Sequence, residues 1–63
     1  MNLEDMQELF NLVIKNGDVK DVQTYHPSKY STIADYRIIY DGASYCFRLV
    51  DGEVWEVRII NIG

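Results

Sequence analysis

The sequence predicts an α+β fold in which one N-terminal helix packs on a three- to four-stranded antiparallel meander sheet. The first observation is the helical spacing of apolar side chains over residues 2–16. The second is a block at residues 32–60, where Asp41-Gly42 and Asp51-Gly52 separate three runs rich in β-branched and aromatic residues. Asp-Gly between such runs indicates a hairpin, because glycine accepts a positive φ without a Cβ clash. We expect a single small domain over residues 1–63.

The helix is predicted over residues 2–16. Asn2 is a good N-cap, and Asp5 follows it three residues later, as in a capping box. Gly17 is expected to end the helix in the left-handed conformation that is common at this position. The apolar stripe that should face the sheet consists of Leu3, Met6, Leu9, Phe10, Val13 and Ile14, with Leu12 at its margin.

Residues 18–25 predict a short edge strand, because their charged side chains discourage the addition of another strand. Residues 26–31 are expected to form a loop. Pro27 restricts the residue before it and has no N–H to donate to a ladder. Residues 61–63 are expected to be a tail.

The first hairpin has a register that the side chains themselves support. A two-residue turn at Asp41-Gly42 pairs Tyr40 with Ala43, and it places Asp35 opposite Arg48. Side chains alternate between the two faces with a period of two, so this register also separates aromatic from charged residues.

The second hairpin does not accept the same register, since a two-residue turn would set Phe47 against Glu56. We therefore predict a three-residue loop, 50–52, with Gly52 in the left-handed conformation and a bulge beside the turn. This loop pairs Phe47 with Trp55, so it places Trp55 on the face under the helix and Val54 on the opposite face.

The face turned away from the helix is expected to be unusually apolar for a solvated sheet, and it also holds all three arginines of the chain. Apolar residues mixed with arginine are typical of a protein interface. The partner is expected to be another protein or a second copy of this chain. The side chains predicted to bind it are Ile33, Arg37, Ile39, Arg48, Val50, Val54, Arg58 and Ile60.

The composition is that of an ordinary globular domain, with 48% apolar and 25% charged residues. The formal charge of −4 disfavours direct binding of nucleic acid. No apolar run reaches the length of about 18 residues that a membrane span needs, and the acidic N-terminus does not resemble a signal peptide. Because Cys46 is the only cysteine, we expect a cytoplasmic protein without membrane contact.

No catalytic constellation is visible, so we expect neither an enzyme nor a cofactor. His26 could act as a general acid or base, but it lacks an orienting partner that the sequence places beside it. Cys46 is expected between Arg37 and Glu56, either as a nucleophile activated by the arginine or as a small apolar residue. Zinc is not expected, because there is no cluster of Cys and His. Stacking of RNA on the sheet is also disfavoured, since the aromatic residues are expected under the helix.

An alternative function rests on Glu4, Asp5 and Glu8 near the start of the helix. Rows of carboxylates imitate phosphates, so the chain would act as an acidic nucleic-acid mimic that blocks a DNA- or RNA-binding enzyme. The competing interpretation is a solvated helix face whose acidic residues interact favourably with the helix dipole.

A resemblance adds a third interpretation. The motifs G-D-V-x-x-V at residues 17–22, Y-R-I-I-Y-D-G-x-x-Y at 36–45 and V-D-G-E-V at 50–54 resemble those of the PepSY group of small α+β domains. The resemblance implies an inhibitory domain, since PepSY domains are linked to protease inhibition and are often exported or membrane-attached. The leading hypothesis is a small inhibitor or accessory protein, of the anti-defence type that phages and mobile elements carry.

Overall fold

The fold is an N-terminal helix followed by a four-stranded antiparallel sheet, as seen in a computed structural model that describes residues 1–62. The elements are α1 (Leu3–Asn16), β1 (Asp18–Ser28), β2 (Ser31–Tyr40), β3 (Ala43–Val50) and β4 (Glu53–Asn61). The strands lie in the order β1-β2-β3-β4, so the sheet is an open meander. The α+β prediction is confirmed. Within residues 1–62, no helix has the length and apolar character needed to cross a membrane.

The helix has its predicted N-cap and its predicted last residue, but its C-terminal cap differs. The Oδ1 atom of Asn2 accepts a hydrogen bond of 2.8 Å from the backbone N–H of Asp5, which caps the first turn. Gly17, however, is extended (φ −90°, ψ −176°), so the predicted left-handed cap is wrong. Glycine is needed here for space: a Cβ atom would lie 2.7 Å from Cγ2 of Ile38 and 2.7 Å from the carbonyl oxygen of Val13.

The first hairpin has the predicted register. Asp41 and Gly42 both have positive φ (50° and 76°), as a two-residue type I′ turn requires. Tyr40 lies opposite Ala43, and Asp35 lies opposite Arg48. The sequence therefore predicted the β2–β3 pairing residue by residue.

The second hairpin differs from the prediction. Asp51 and Gly52 form another two-residue turn (φ 51° and 86°), so Val50 pairs with Glu53 rather than belonging to a longer loop. The bulge lies inside β4 instead. Leu49 pairs with Val54 and Arg48 with Glu56, which leaves Trp55 as the extra residue. Beyond the bulge, Phe47 faces Val57 and Tyr45 faces Ile59.

This shift exchanges the expected positions of two neighbouring side chains. Val54 is only 3% exposed and joins the core, whereas Trp55 is 58% exposed. The placement of Val54 on the exposed face and of Trp55 under the helix is therefore wrong. The physical reason is that the shorter turn directs Val54 inward, and the helix completes the site: Oε1 of Gln7 accepts a hydrogen bond of 3.4 Å from the Val54 N–H.

The core lies between the helix and one face of the sheet, which we call the inner face. Phe10 is at its centre, with ring centroids 5.1 Å from both Tyr36 and Phe47 in edge-to-face geometry. The buried apolar side chains are Phe10, Val13, Ile38, Ala43, Phe47, Leu49 and Val54.

The ends of the sheet extend beyond the predicted boundaries. His26, Pro27 and Ser28 belong to β1, so the predicted loop at 26–31 is reduced to the turn at residues 29–30. Proline is tolerated because β1 is an edge strand and does not need every N–H. Asn61 belongs to β4 rather than to the tail, and Gly63 lies outside the described residues.

Candidate functional site

The candidate site is the face of the sheet that the helix does not cover, which we call the outer face. Two rows of mainly charged residues cross its centre, one residue from each strand. One row is Asp21, Arg37, Cys46 and Arg58, and the other is Gln23, Asp35, Arg48 and Glu56. We call these eight residues the charged band. They line an open depression of ≈ 260 Å³, together with Tyr36 and Phe47.

The strongest interaction in the charged band joins β2 to β3. Arg48 donates two hydrogen bonds to Asp35, from Nε to Oδ1 at 2.9 Å and from Nη2 to Oδ2 at 3.0 Å. The hydroxyl of Tyr25 lies 3.5 Å from the same carboxylate, and its ring centroid is 6.0 Å from Cζ of Arg48. The hydrogen bond from Arg48 holds the pKa of Asp35 below its usual value, and burial opposes this only in part. The same pair raises the pKa of Arg48.

The other two arginines are less constrained. Arg58 donates from Nε to Oε1 of Glu56 at 3.2 Å, while its side chain stays largely exposed. Arg37 is exposed and forms no ion pair within residues 1–62, where the pairs are Lys20–Asp18, Arg48–Asp35 and Arg58–Glu56. The charged band therefore holds one guanidinium group that forms no ion pair with a carboxylate of the described chain, although Asp21 lies opposite Arg37 on β1.

The apolar residues predicted for this face lie at its two ends rather than across it. Ile33 and Val50 form one end, beside Tyr25 of β1, and Ile39 and Ile60 form the other. Ile33, Ile39 and Val50 are half-buried, and Ile60 is exposed. Seven of the eight predicted docking residues thus share the outer face, and the exception is Val54. The contribution of β1, from Asp21, Gln23 and Tyr25, was missed, because β1 is exposed on both faces and carries no alternation from which to read a register.

The two candidate reactive side chains have ordinary surroundings. Cys46 is a free, half-buried thiol, and its neighbour on β4 is Arg58 rather than the predicted Glu56. His26 is exposed on β1, with Nδ1 3.2 Å from the hydroxyl oxygen of Thr32. In the part of the chain that the structure describes, no group of three or more His, Cys, Asp or Glu side chains is arranged to hold a metal ion.

The acidic residues of the alternative hypothesis lie away from the outer face, on α1. Glu4, Asp5 and Glu8 are exposed, and none of them belongs to an ion pair among the described residues. Glu4 also lines a second depression of ≈ 250 Å³, whose other residues include Glu53 of β4. Sequence reasoning missed Glu53, because only the folded chain brings the start of β4 to the start of the helix.

Comparison with protein-family models, with curated proteins and with solved structures found no match. The resemblance to the PepSY group therefore stays a prediction from the quoted motifs.

Proposed function

We propose that this protein is a non-enzymatic protein-binding module, acting as a small inhibitor or accessory protein through its outer face. The partner we propose is a protein segment that presents a carboxylate between apolar side chains. The observation that carries the proposal is Arg37, an exposed arginine that forms no ion pair among the described residues, at the centre of a face that the helix leaves open.

Arg37 suits this role because a guanidinium group presents several donors in a planar fork that matches a carboxylate. Arg58 lies in the same row, one strand beyond Cys46. Its Nε is bound to Glu56, so its terminal nitrogens remain as further donors. Arg48 is a poor anchor by comparison, since Asp35 already binds it through two hydrogen bonds.

The apolar ends supply the rest of the surface. Ile33 and Ile39 are six residues apart on β2, which is about 20 Å along a strand. A bound segment that spans the face would place apolar side chains near these two ends and its carboxylate near Arg37. These apolar contacts would exclude water from the ion pair between Arg37 and the carboxylate of the bound segment. This is the arrangement of an interface hot spot.

The test is selection of random displayed peptides on the wild-type protein, followed by affinity measurement with a fluorophore on the selected peptide, because Cys46 lies within the charged band and a label there would block it. We expect selected peptides to carry Asp or Glu flanked by apolar residues. Arg37→Ala and Ile60→Lys should each weaken binding by about tenfold or more, while Lys15→Gln on the helix should not. Selected peptides without carboxylates, or equal affinity for Arg37→Ala and wild type, would overturn the proposal.

A second candidate is the acidic nucleic-acid mimic, favoured by the distribution of charge. The charged band holds three carboxylates and three arginines, so the formal charge of −4 belongs to the rest of the chain, including Glu4, Asp5 and Glu8. A mimic would displace DNA from a basic DNA-binding protein, and salt would weaken the complex steeply. Replacing these three residues with Gln should abolish the displacement, whereas Arg37→Ala should leave it intact. The reverse pattern would favour the outer face.

The PepSY group is linked to protease inhibition, so the resemblance makes proteases one class of partner to test for binding.

A further inference from the structure

The two edges of the sheet are not equally protected against pairing with another strand. At β1, the register shifts between Val19 and Asp21, which leaves Lys20 as a bulge, and Pro27 lies near the other end of the strand. Bulges, charges and proline are the usual means by which an edge strand resists strand addition. Beyond its own bulge at Trp55, β4 has neither proline nor another irregularity.

The free backbone groups of β4 follow from one hydrogen bond. The Ile62 N–H donates to the carbonyl oxygen of Gly42 at 3.1 Å, so these two residues are a hydrogen-bonded pair of the β3–β4 ladder. In an antiparallel ladder, such pairs alternate with pairs whose N–H and C=O groups point away from the neighbouring strand. Val57, Ile59 and Asn61 therefore direct their backbone groups outward from β4, where the described chain has no further strand.

Half of the exposed side chains on this edge are large and apolar. Trp55, Ile59, Ile60 and Ile62 all belong to the exposed large apolar residues of the molecule. A long, apolar edge with free backbone groups is a template for another strand. A chain of 63 residues also has little core of its own, so pairing at this edge would add stability that the monomer lacks.

We propose that a second copy of this chain pairs with this edge, β4 against β4 in antiparallel orientation, with Val57 on the two-fold axis. In this register, Glu56 lies opposite Arg58 of the second copy, and the symmetry repeats the opposite-charge pair. Ile59 comes level with Trp55 of the second copy. The backbone groups of Val57 and Ile59 then find partners across the seam.

Neighbouring registers fit less well. In such a dimer, two residues that lie opposite each other must point to the same face of the sheet. The two-fold axis therefore passes through a residue of β4, and each alternative register shifts it to a neighbouring residue. An axis at Arg58 would place the two Arg58 side chains directly opposite each other, which is repulsive. An axis at Ile59 would pair Arg58 with Ile60 and leave its charge unmatched. The charge pattern therefore selects the register centred on Val57.

The resulting dimer is one continuous eight-stranded sheet. A two-fold axis perpendicular to the sheet keeps both helices on one side and joins the two outer faces on the other. The inference does not rest on the proposed docking function, because it is argued from the free backbone groups of the β4 edge, although Glu56 and Arg58 belong to the charged band as well as to this edge.

The first experiment is sedimentation velocity from about 1 µM to about 500 µM, where mass action should populate the dimer. We expect a species of twice the 7.4 kDa chain mass. Glu56→Arg and Arg58→Glu, made singly, should each weaken dimerisation by about tenfold or more, because each creates a like-charge pair across the seam. The double variant should restore it. Gln23→Arg on the other edge, where the opposite residue is Asp35, is the control and should dimerise like the wild type.

A second readout locates the contact and covers the case in which a charge reversal impairs folding. Ile59→Pro removes an outward-facing N–H without removing a β3–β4 hydrogen bond, so it should give a folded monomer by circular dichroism. Hydrogen exchange of the Val57 and Ile59 amides should slow as the wild-type concentration rises. A wild-type monomer throughout the concentration range would overturn the proposal. So would failure of the double variant to dimerise, or a dimer whose β4 amides stay unprotected.

Discussion

Arg48 binds Asp35 across the β2–β3 ladder through two parallel hydrogen bonds, at 2.9 Å from Nε and 3.0 Å from Nη2. This pair is the only bidentate ion pair among the described residues. It lowers the pKa of Asp35, so the charged carboxylate is favoured in the folded state. The stability it contributes is therefore fully present above the usual Asp pKa and is lost as pH falls through the lower, folded-state pKa.

The first prediction follows from the lowered pKa of Asp35. At pH 7, Asp35→Asn should lower the Tm by about 2–5 °C, because an exposed pair contributes little and a small domain shifts by several degrees per kcal/mol. At acidic pH the difference should shrink, because the wild-type carboxylate takes up a proton as pH falls through its lowered, folded-state pKa. Thermal unfolding followed by circular dichroism checks this. Arg48→Gln removes the same ion pair from the other side and should show the same dependence on pH. A deficit of equal size at both pH values would contradict the prediction.

The second prediction concerns Gly17. Gly17→Ala should destabilise the fold by about 1–3 kcal/mol, because the new methyl group would meet Ile38 and the Val13 carbonyl at 2.7 Å. Urea denaturation measures the loss. Gly42→Asn is a suitable comparison, since nothing lies within 4 Å of a Cβ at Gly42 and asparagine tolerates its φ of +76°. Equal stabilities of Gly17→Ala and wild type would show that the helix–sheet connection is looser than the structure has it.

Sequence patterns determined the first hairpin because several of its features agree. The turn chemistry of Asp41-Gly42, the alternation of apolar residues and the Asp35–Arg48 match all select one register. They also placed Arg37 correctly on the outer face. The length of β1 was underestimated, because Pro27 reads as a break in the ladder although an edge strand accepts it.

The second hairpin could not be predicted in the same way. A bulge beside the turn and a bulge at Trp55 both keep apolar residues opposite Phe47 and Tyr45. The choice between them depends on whether Val54 or Trp55 fits beneath the helix, and that is a matter of tertiary packing. Local propensities do not contain this information, and Gln7, which accepts from the Val54 N–H, lies 47 residues away in sequence.

The third prediction separates these two registers with adjacent substitutions. Val54→Ala should cost about 1–3 kcal/mol, because it removes buried apolar volume from the core. Trp55→Ala should change the free energy of unfolding by no more than about 0.5 kcal/mol in the monomer, since the indole is largely exposed. Urea denaturation at low protein concentration gives both values. If Trp55→Ala costs more than Val54→Ala, the three-residue loop predicted from the sequence is correct and Trp55 lies under the helix.

The fourth prediction tests how strongly the sheet depends on its single helix. Phe10 contacts Tyr36 and Phe47 edge-to-face, and it is only 8% exposed. Phe10→Ala should cost about 3–5 kcal/mol. That loss is comparable to the whole stability of a domain this size, about 3–9 kcal/mol by the usual stability per residue. Near-UV circular dichroism should show loss of fixed aromatic packing at room temperature.

Leu12→Ala in the same helix provides the matched control. Leu12 is 47% exposed at the margin of the apolar stripe, where the sequence placed it, so its loss should change stability by no more than about 0.5 kcal/mol. Alanine gains more helix propensity at Phe10 than at Leu12, which would only reduce the difference, so a larger loss for Phe10→Ala reports the contact with the sheet. If Phe10→Ala unfolds at the same urea concentration as Leu12→Ala, the core does not depend on the aromatic cluster at its centre. Other contacts between the helix and the inner face would then have to stabilise the fold.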